Sequence, residues 1–354
     1  MKTINVLVLG VVGERPLEKI SAVDPAIQVI DTRGVFEVEY AETWPAETVE
    51  RYVPRALVEQ STTSRAERDA FLAQAEVICI RFPFPLDLRA RSLRLQWAHQ
   101  TPAGASNLRM GDLWGSDITV TTSRGYNNTL PIAEYVLSTL LVFAKSLPQA
   151  FHDQQRRSFA RRHYQPVLVQ GKTLGIIGLG GIGREVARLA SALGMRVLAT
   201  RRSASVAQRQ VQGVDELLPP SELPTLLQQS DFIAICAQWT PETDKLIGQT
   251  ELRQMKNSAY LINVARGELI DQPALITALR EGWIAGAALD VYDGEFTGPP
   301  PAELWQLPNV LITPHTSVGT DVSLAKGLEV FCENLRRYIA GDPLVNVIDW
   351  SRGY

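Results

Sequence analysis

Four histidines, His99, His152, His163 and His315, are the side chains of this 354-residue chain that titrate near neutral pH without perturbation, so a general acid has few candidates. His315 stands in "NVLITPHTSVGT", just past an apolar run that reads as a buried strand. His99 closes a polar strand, while His152 and His163 fall in a linker; ordinary core or surface roles suit those three. Arg266 in "LINVARGELID" and Glu295 in "ALDVYDGEF" likewise follow apolar runs. An arginine after a segment as apolar as "YLINVA" calls for an anionic partner or an opening to water, and its planar fork suits a carboxylate. Each signal is weak alone, because many strands end on a charge. Three strands of one sheet that deliver Arg, Glu and His to one edge would combine anion binding with proton transfer at the place where α/β sheets hold ligands.

A second constellation lies in "GLGGIGREVARLASALGMRVLATRRS", residues 178–203. Gly178, Gly180 and Gly183, with Gly181 and Ile182 among them, form G-x-G-x-x-G after an apolar run and at the start of a helical pattern. The first glycine allows the tight turn, the second lets backbone approach a pyrophosphate, and the third packs helix on strand. The phosphate then meets free N–H groups and the positive end of the helix dipole. A loop that prefers NAD places Asp or Glu about 20 residues on, against the ribose hydroxyls. Here the second strand ends "ATRRS", and no acid occupies 200–205. Arg201 and Arg202 would pair with a 2′-phosphate and Ser203 would add a donor, so NADPH is the preferred cofactor and NADH the lesser one. The alternative leaves both arginines as solvent-facing loop charges.

The elements that must position these groups follow from periodicity. "INVLVLG" (4–10), "EVICIRF" (76–82), "LQWAHQT" (95–101) and "DITVTTS" (117–123) read as strands of a smaller, variable α/β unit, and 40–70 is rich in Glu, Arg and Thr. "NNTLPIAEYVLSTLLVFAKSLP" reads as a long helix capped by Asn128 or Thr129, with Pro131 in its first turn, an apolar face of Ile132, Val136, Leu140 and Phe143, and its strongest part ended by Pro148. From 171 onward strands alternate with helices: "KTLGIIG", "MRVLAT", "DFIAIC", "AYLINV", "IAGAALD" and "NVLITP" as strands, with helices at 182–193, near 221–229, near 250–256 and at 272–281. That alternation predicts a doubly wound parallel sheet of Rossmann type. A last helix covers about 321–340.

A 45% hydrophobic and 21% charged composition is that of a globular protein of about two domains, and a net charge of −3 offers no basic field for nucleic acid. Cys79, Cys236 and Cys332 are scattered, with neither metal-ligand spacing nor a disulfide framework, which predicts no metal and a reducing, cytoplasmic setting. "MKTINVLVLGVVGERP" reads as a first strand rather than a signal segment, and "PIAEYVLSTLLVFA" is too short, and interrupted by Glu134, for a membrane span. The basic run "RRSFARRH" (156–163) reads as a solvated linker face.

The glycine-loop segment, "TPETDKLIG", "LINVARGELIDQPALITALREGWIAGAALDVYDGEF" and "PNVLITPHTSVGT" resemble the D-isomer-specific 2-hydroxyacid dehydrogenases, densely from about 120 to 345 and loosely before 90. The resemblance implies that Arg266 binds a 2-keto acid carboxylate, that His315 protonates the keto oxygen as hydride reaches C2, and that Glu295 hydrogen-bonds His315. It further places Asp290 near the nicotinamide carboxamide, backbone of Val264 and Ala265 against the cofactor, and Gln238 and Thr243 on the adenine side. "TPAGASNL" (101–108) resembles the substrate-binding loop, with the amides of Ala103 and Gly104 at the substrate carboxylate. Two departures stand out: Ser106 replaces the usual acid of that loop, and Gln238 the usual proline.

The resemblance also implies a discontinuous, smaller, flavodoxin-like substrate domain (1–122 and 321–354), a dinucleotide-binding domain (123–320), and a homodimer built with the helix near Pro131. The expected activity is hydride transfer from NADPH to a small 2-keto acid, giving the D-hydroxy acid. Glyoxylate and hydroxypyruvate are named because the arginine pair is similar to that of the family's glyoxylate and hydroxypyruvate reductases. The competing expectations are a dehydrogenase of another small anion such as phosphite, and a corepressor-like dinucleotide sensor without turnover.

Overall fold

The computed structural model describes residues 3–10, 15–125, 129–211, 213–320 and 323–353. The chain divides into two compact units, Met1–Asn127 with Phe296–Pro299 and Thr320–Tyr354, and Asn128–Glu295 with Pro300–Gly319.

The first unit is built on β1 (Ile4–Val8), β2 (Ile27–Asp31), β3 (Val77–Ile80), β4 (Trp97–Gln100) and β5 (Thr119–Thr122), all parallel in the order β2-β1-β3-β4-β5. This is the flavodoxin order. Alternate residues of each strand feed two cores: Leu7, Ile78, Ile80, Ala98 and Val120 face one side with Phe36, Tyr40 and Leu72, while Val6, Val8, Val77, Cys79 and Trp97 face the other. Leu328, Phe331 and Leu335 of the last helix, Ser323–Ala340, close that second side. Strands covered on both faces have no polar stripe, which is why β1 and β3 read as short apolar runs.

The polar stretch after residue 36 is not irregular. It forms short helices at Glu37–Thr43, Ala46–Tyr52, Arg55–Gln60 and Arg65–Gln74. Helices this short are marginal alone and depend on packing. Here Glu39, 2% exposed, accepts from Arg68 Nε at 2.8 Å and also pairs with Arg91. The helical period of the polar segments between the strands is thus borne out, while β2, which is only partly buried, escaped the strand reading.

The second unit carries β6 (Thr173–Ile177), β7 (Arg196–Thr200), β8 (Gln208–Val211), β9 (Val214–Leu218), β10 (Phe232–Ile235), β11 (Tyr260–Asn263), β12 (Gly286–Leu289) and β13 (Val310–Ile312), in the order β13-β12-β11-β10-β6-β7-β9-β8. β6 lies inside, with the chain winding outward to both sides, as a doubly wound sheet requires. One edge departs from the expected parallel pattern: β8 runs antiparallel to β9, in a hairpin that the polar "QRQV" did not announce. Leu174, Ile176, Val197, Ala199, Ala234 and Ile262 pack under the helices Thr129–Ala144 and Gly181–Ala192. Ile177, Leu198, Ile233, Ile235, Leu261 and Leu289 pack under Leu223–Gln229, Gln249–Gln254 and Gln272–Glu281. The last of these has a legible start and stop: Asp271 accepts from Ala274 N–H at 3.0 Å, a cap worth about 1 kcal/mol, and Gly282 ends it in the left-handed region.

Pro148 does not close the helix that begins at Thr129. That helix ends at Ala144, and Pro148 sits in the first turn of a separate helix, Leu147–Gln155, where its missing N–H has no partner to lose. Asn128, the other expected cap, lies outside the described residues. No single helix among the described residues is long and apolar enough to cross a membrane, and no group of three or more His, Cys, Asp or Glu among them is placed to hold a metal ion. The three cysteines are free.

Candidate active site

β11, β12 and β13 are neighbours with their carboxyl ends aligned, Asn263 against Leu289 and Leu289 against Ile312. Arg266 follows the first, Asp290 and Glu295 the second, and His315 the third. The register of three parallel strands, and no sequence proximity, gathers these groups at one edge.

His315 is held by its backbone and its ring. Its N–H donates to the carbonyls of Asp290 and Thr313, both at 3.0 Å, and its φ is +55°. The left-handed conformation costs an L residue about 1–2 kcal/mol, which the surrounding loop bonds offset. Nδ1 lies 3.1 Å from Oε2 of Glu295; the carboxylate accepts, so the proton sits on Nδ1 and Nε2 is the atom left to exchange a proton. Glu295 is 4% exposed and the His315 side chain 25%, so the carboxylate is shielded while the ring keeps an opening.

Asp290, 1% exposed, organises the loop. Its Oδ1 accepts from Thr313 Oγ1 at 2.6 Å and Thr316 N–H at 2.8 Å, and its Oδ2 from Ser317 N–H at 3.0 Å. Three acceptor directions of roughly four are used, which leaves one for a further donor such as a carboxamide.

The Arg266 turn is shaped by Asn263, fully buried at the end of β11, which donates to the Arg266 carbonyl at 2.8 Å and accepts from Ala265 N–H at 3.0 Å. Arg266 Nη1 donates to the Ala265 carbonyl at 2.6 Å. Gly267 then passes so close to the turn after β12 that a Cβ would stand 1.9 Å from the carbonyl carbon of Tyr292. Only glycine lets the Arg266 turn rest on the turn that leads to Glu295. Burial pushes the Glu268 carboxyl above its ordinary range; Arg266 opposes the rise, and Glu295 and Asp293 add to it, so these charges share one field. Asn263 and Gly267 were not singled out from sequence, although the glycine after Arg266 was a usable signal.

The glycine loop has the geometry of a dinucleotide cradle. Gly178 has φ +99°, and a Cβ there would meet Ala237 backbone at 2.7 Å; at Gly183 it would meet the Gly178 carbonyl at 2.2 Å. A Cβ at Gly180 would meet nothing within 4 Å, so no packing among the described residues requires glycine there. Gly180 is the N-cap of the helix Gly181–Ala192, in whose first turn Ile182 lies. At the end of β7, Arg201 is half-buried while Arg202 and Ser203 are exposed. The Thr240 hydroxyl, with help from its own backbone and from the Arg202 charge, holds Glu242 below the ordinary carboxylate range. Gln238 is exposed, and its carbonyl accepts from Thr243 Oγ1 at 2.7 Å, so the two form one turn after β10. Val264 is buried and Ala265 half-buried, in the backbone between β11 and Arg266.

Ala103 and Gly104 lie in the first unit, in the turn after β4. Buried Gln100 and Asn107 clamp that turn: Asn107 Nδ2 donates to Gln100 Oε1 at 3.0 Å, and Gln100 Nε2 donates to the Gly104 carbonyl. His99 is a core residue with no exposure, Nδ1 2.8 Å from Thr121 Oγ1 and its ring stacked on Phe331. His152 and His163 are exposed, as are most residues of the basic 156–163 run.

The profile of the "D-isomer specific 2-hydroxyacid dehydrogenase, NAD binding domain" matches residues 137–317, which span all three candidate catalytic residues and the glycine loop. The chain is 33% identical to a glyoxylate reductase of Korarchaeum cryptofilum over 272 residues, covering 75% of this chain and 80% of that protein. It is also 33% identical to a D-3-phosphoglycerate dehydrogenase of Methanocaldococcus jannaschii over 224 residues, 63% of this chain but only 41% of that longer protein's length. Among solved structures, a D-isomer specific 2-hydroxyacid dehydrogenase family protein from Aeromonas salmonicida superposes with a TM-score of 0.78 at 27% identity, covering 99% of this chain and 100% of its own. Strand order, glycine cradle and sequence agree, and the chain belongs to the D-isomer-specific 2-hydroxyacid dehydrogenase family.

Proposed function

We propose that the protein reduces a small 2-keto acid, of the glyoxylate or hydroxypyruvate kind, to the D-2-hydroxy acid, with NADPH as the favoured hydride donor. The observation that carries this reading is the His315–Glu295 pair, whose Nδ1–H is committed to the carboxylate and whose Nε2 is left for the reactant, on the same sheet edge as Arg266.

The open face of Gly180 and the helix N-terminus behind it fit a pyrophosphate. Arg201 and Arg202 suit a 2′-phosphate, with Ser203 as a further donor; Gln238 and Thr243 would line the adenine side, Val264 and Ala265 the backbone contacts, and Asp290 the carboxamide. When bound, NADPH supplies a hydride for C2 of the keto acid. The Arg266 fork takes the substrate carboxylate with two parallel hydrogen bonds, and the amides of Ala103 and Gly104 are proposed as further donors. His315 gives its Nε2 proton to the keto oxygen as the C–O bond becomes single, and ends as the neutral Nδ1–H tautomer. Glu295 accepts from Nδ1–H throughout and so holds the ring in one orientation. The same reading takes the enzyme to be a cytoplasmic homodimer, built with the helix Thr129–Ala144 that carries Pro131.

The test is a fluorescence titration with NADPH and NADH, followed by absorbance at the nicotinamide band with glyoxylate, hydroxypyruvate, pyruvate and a bulky keto acid. Turnover of a small keto acid with NADPH preferred supports the proposal. Tight dinucleotide binding with no turnover overturns it in favour of a sensor, and a preference for NADH removes the role given to the arginines.

A further inference from the structure

We infer that Tyr135 and Thr313 are positioning residues for His315, acting through the carboxylate of Asp290; the inference rests on the reading of His315 as the proton donor. Tyr135 stands on the helix Thr129–Ala144, far in sequence from the strand exits, yet its Oη lies 2.6 Å from Thr313 Oγ1. Thr313 Oγ1 lies 2.6 Å from Asp290 Oδ1.

The direction of this chain follows from the chemistry of its members. A carboxylate only accepts, so the single hydroxyl proton of Thr313 goes to Asp290. Thr313 then has only lone pairs to offer Tyr135, and the phenol must be the donor. Burial, the charge of Asp290 adding to it against the Thr313 hydrogen bond, pushes the Tyr135 phenol up to about 12, so it keeps its proton. The result is a donor relay, phenol to hydroxyl to carboxylate, that ends on the group around which the His315 loop is wound.

That winding ties four residues of one short loop to Asp290. Thr313 and Thr316 bind Oδ1, Ser317 binds Oδ2, and His315 N–H binds the Asp290 carbonyl at 3.0 Å. The loop holds His315 at φ +55°, a conformation an L residue leaves when its constraints slacken. Loss of the phenol would leave Thr313 free to rotate toward another acceptor and would loosen the carboxylate that sets the loop. The helix thus reaches the catalytic edge through the Tyr135 hydroxyl, and Tyr135 matters for where Nε2 points rather than for binding substrate.

The test compares Tyr135→Phe, Thr313→Val, Thr313→Ser and the Tyr135→Phe/Thr313→Val pair. Tyr135→Phe is expected to lower kcat about 3- to 10-fold while KM and the NADPH dissociation constant stay within about twofold, since small misplacement of a proton donor acts on the chemical step. Thr313→Val should cost at least as much, Thr313→Ser should recover most of the activity, and Tyr135→Phe should add nothing in the Thr313→Val background. A second readout needs no turnover: in cofactor-free protein with labelled histidines, the His315 ring resonances should move in Tyr135→Phe and Thr313→Val, and stay in place in Thr313→Ser. If no keto acid is reduced, the ring resonances still decide the positioning claim, so its failure is separable from that of the proposed reaction. Wild-type kcat with unmoved His315 resonances in Tyr135→Phe overturns the inference, as does a loss that is additive with Thr313→Val.

Discussion

The Nδ1 atom of His315 lies 3.1 Å from Oε2 of Glu295, a residue 20 positions earlier in the chain, and each follows a different strand. Because the carboxylate is shielded while the ring keeps an opening, the pair has one inner and one outer end, and Nε2 is the ring nitrogen not committed to Glu295. Replacement of His315 by Ala is expected to lower kcat by about 10²–10⁴-fold, the usual worth of a positioned proton donor, with NADPH affinity within about twofold. Steady-state kinetics and a fluorescence titration check this; parallel loss of turnover and cofactor binding would make His315 a structural residue.

Two glycines should respond in opposite ways to alanine. At Gly267 the new Cβ would stand 1.9 Å from Tyr292 carbonyl carbon, so the Arg266 turn and the turn leading to Glu295 must part. The expected cost is about 1–3 kcal/mol of stability together with a raised KM for the keto acid. At Gly180 nothing lies within 4 Å. There alanine should leave stability within about 0.5 kcal/mol and weaken dinucleotide binding. Urea unfolding and cofactor titration of the two variants distinguish these outcomes, and equal stability loss in both would contradict the cradle assigned to Gly180.

At the end of β7, a double change of Arg201 and Arg202 to Ser should separate the two cofactors. NADPH affinity is expected to fall about 10- to 100-fold, the loss of one or two charge-assisted phosphate contacts, while NADH changes by less than about threefold. Equal effects on both would mean that the arginines are surface charge.

In the first unit, burial pushes the His99 imidazole from its ordinary 6.5 down to about 3. The folded protein therefore keeps His99 neutral at pH values where the unfolded chain binds a proton. Stability is fully present above about pH 6.5 and is lost as pH falls toward 3, with a slope from this group of up to about 1.4 kcal/mol per pH unit. His99→Gln should remove that share of the acid sensitivity in urea midpoints measured between pH 7 and 4. An unchanged slope would show that His99 does not titrate in this way.

Some of this protein is determined by sequence alone, because the signals are local. The "VICI" and "YLIN" strands, the Asp271 cap with its Gly282 stop, and Gly183 packed on the Gly178 carbonyl each carry a signal within a few residues of chain. His315, Arg266 and Glu295 were readable as residues just past strands for the same reason. What tertiary structure decided is everything that depends on register and close approach. Buried Glu39 ties the helix Glu37–Thr43 to the helix Arg65–Gln74 through Arg68, and the β8–β9 edge pairs residues with no periodic pattern. Gly267 is forced by a neighbouring turn 25 residues on, and Tyr135 meets Thr313 across 178 residues. No period or spacing encodes such contacts: they arise when parallel strands align their ends and a helix laid across the sheet brings a single hydroxyl within bonding distance.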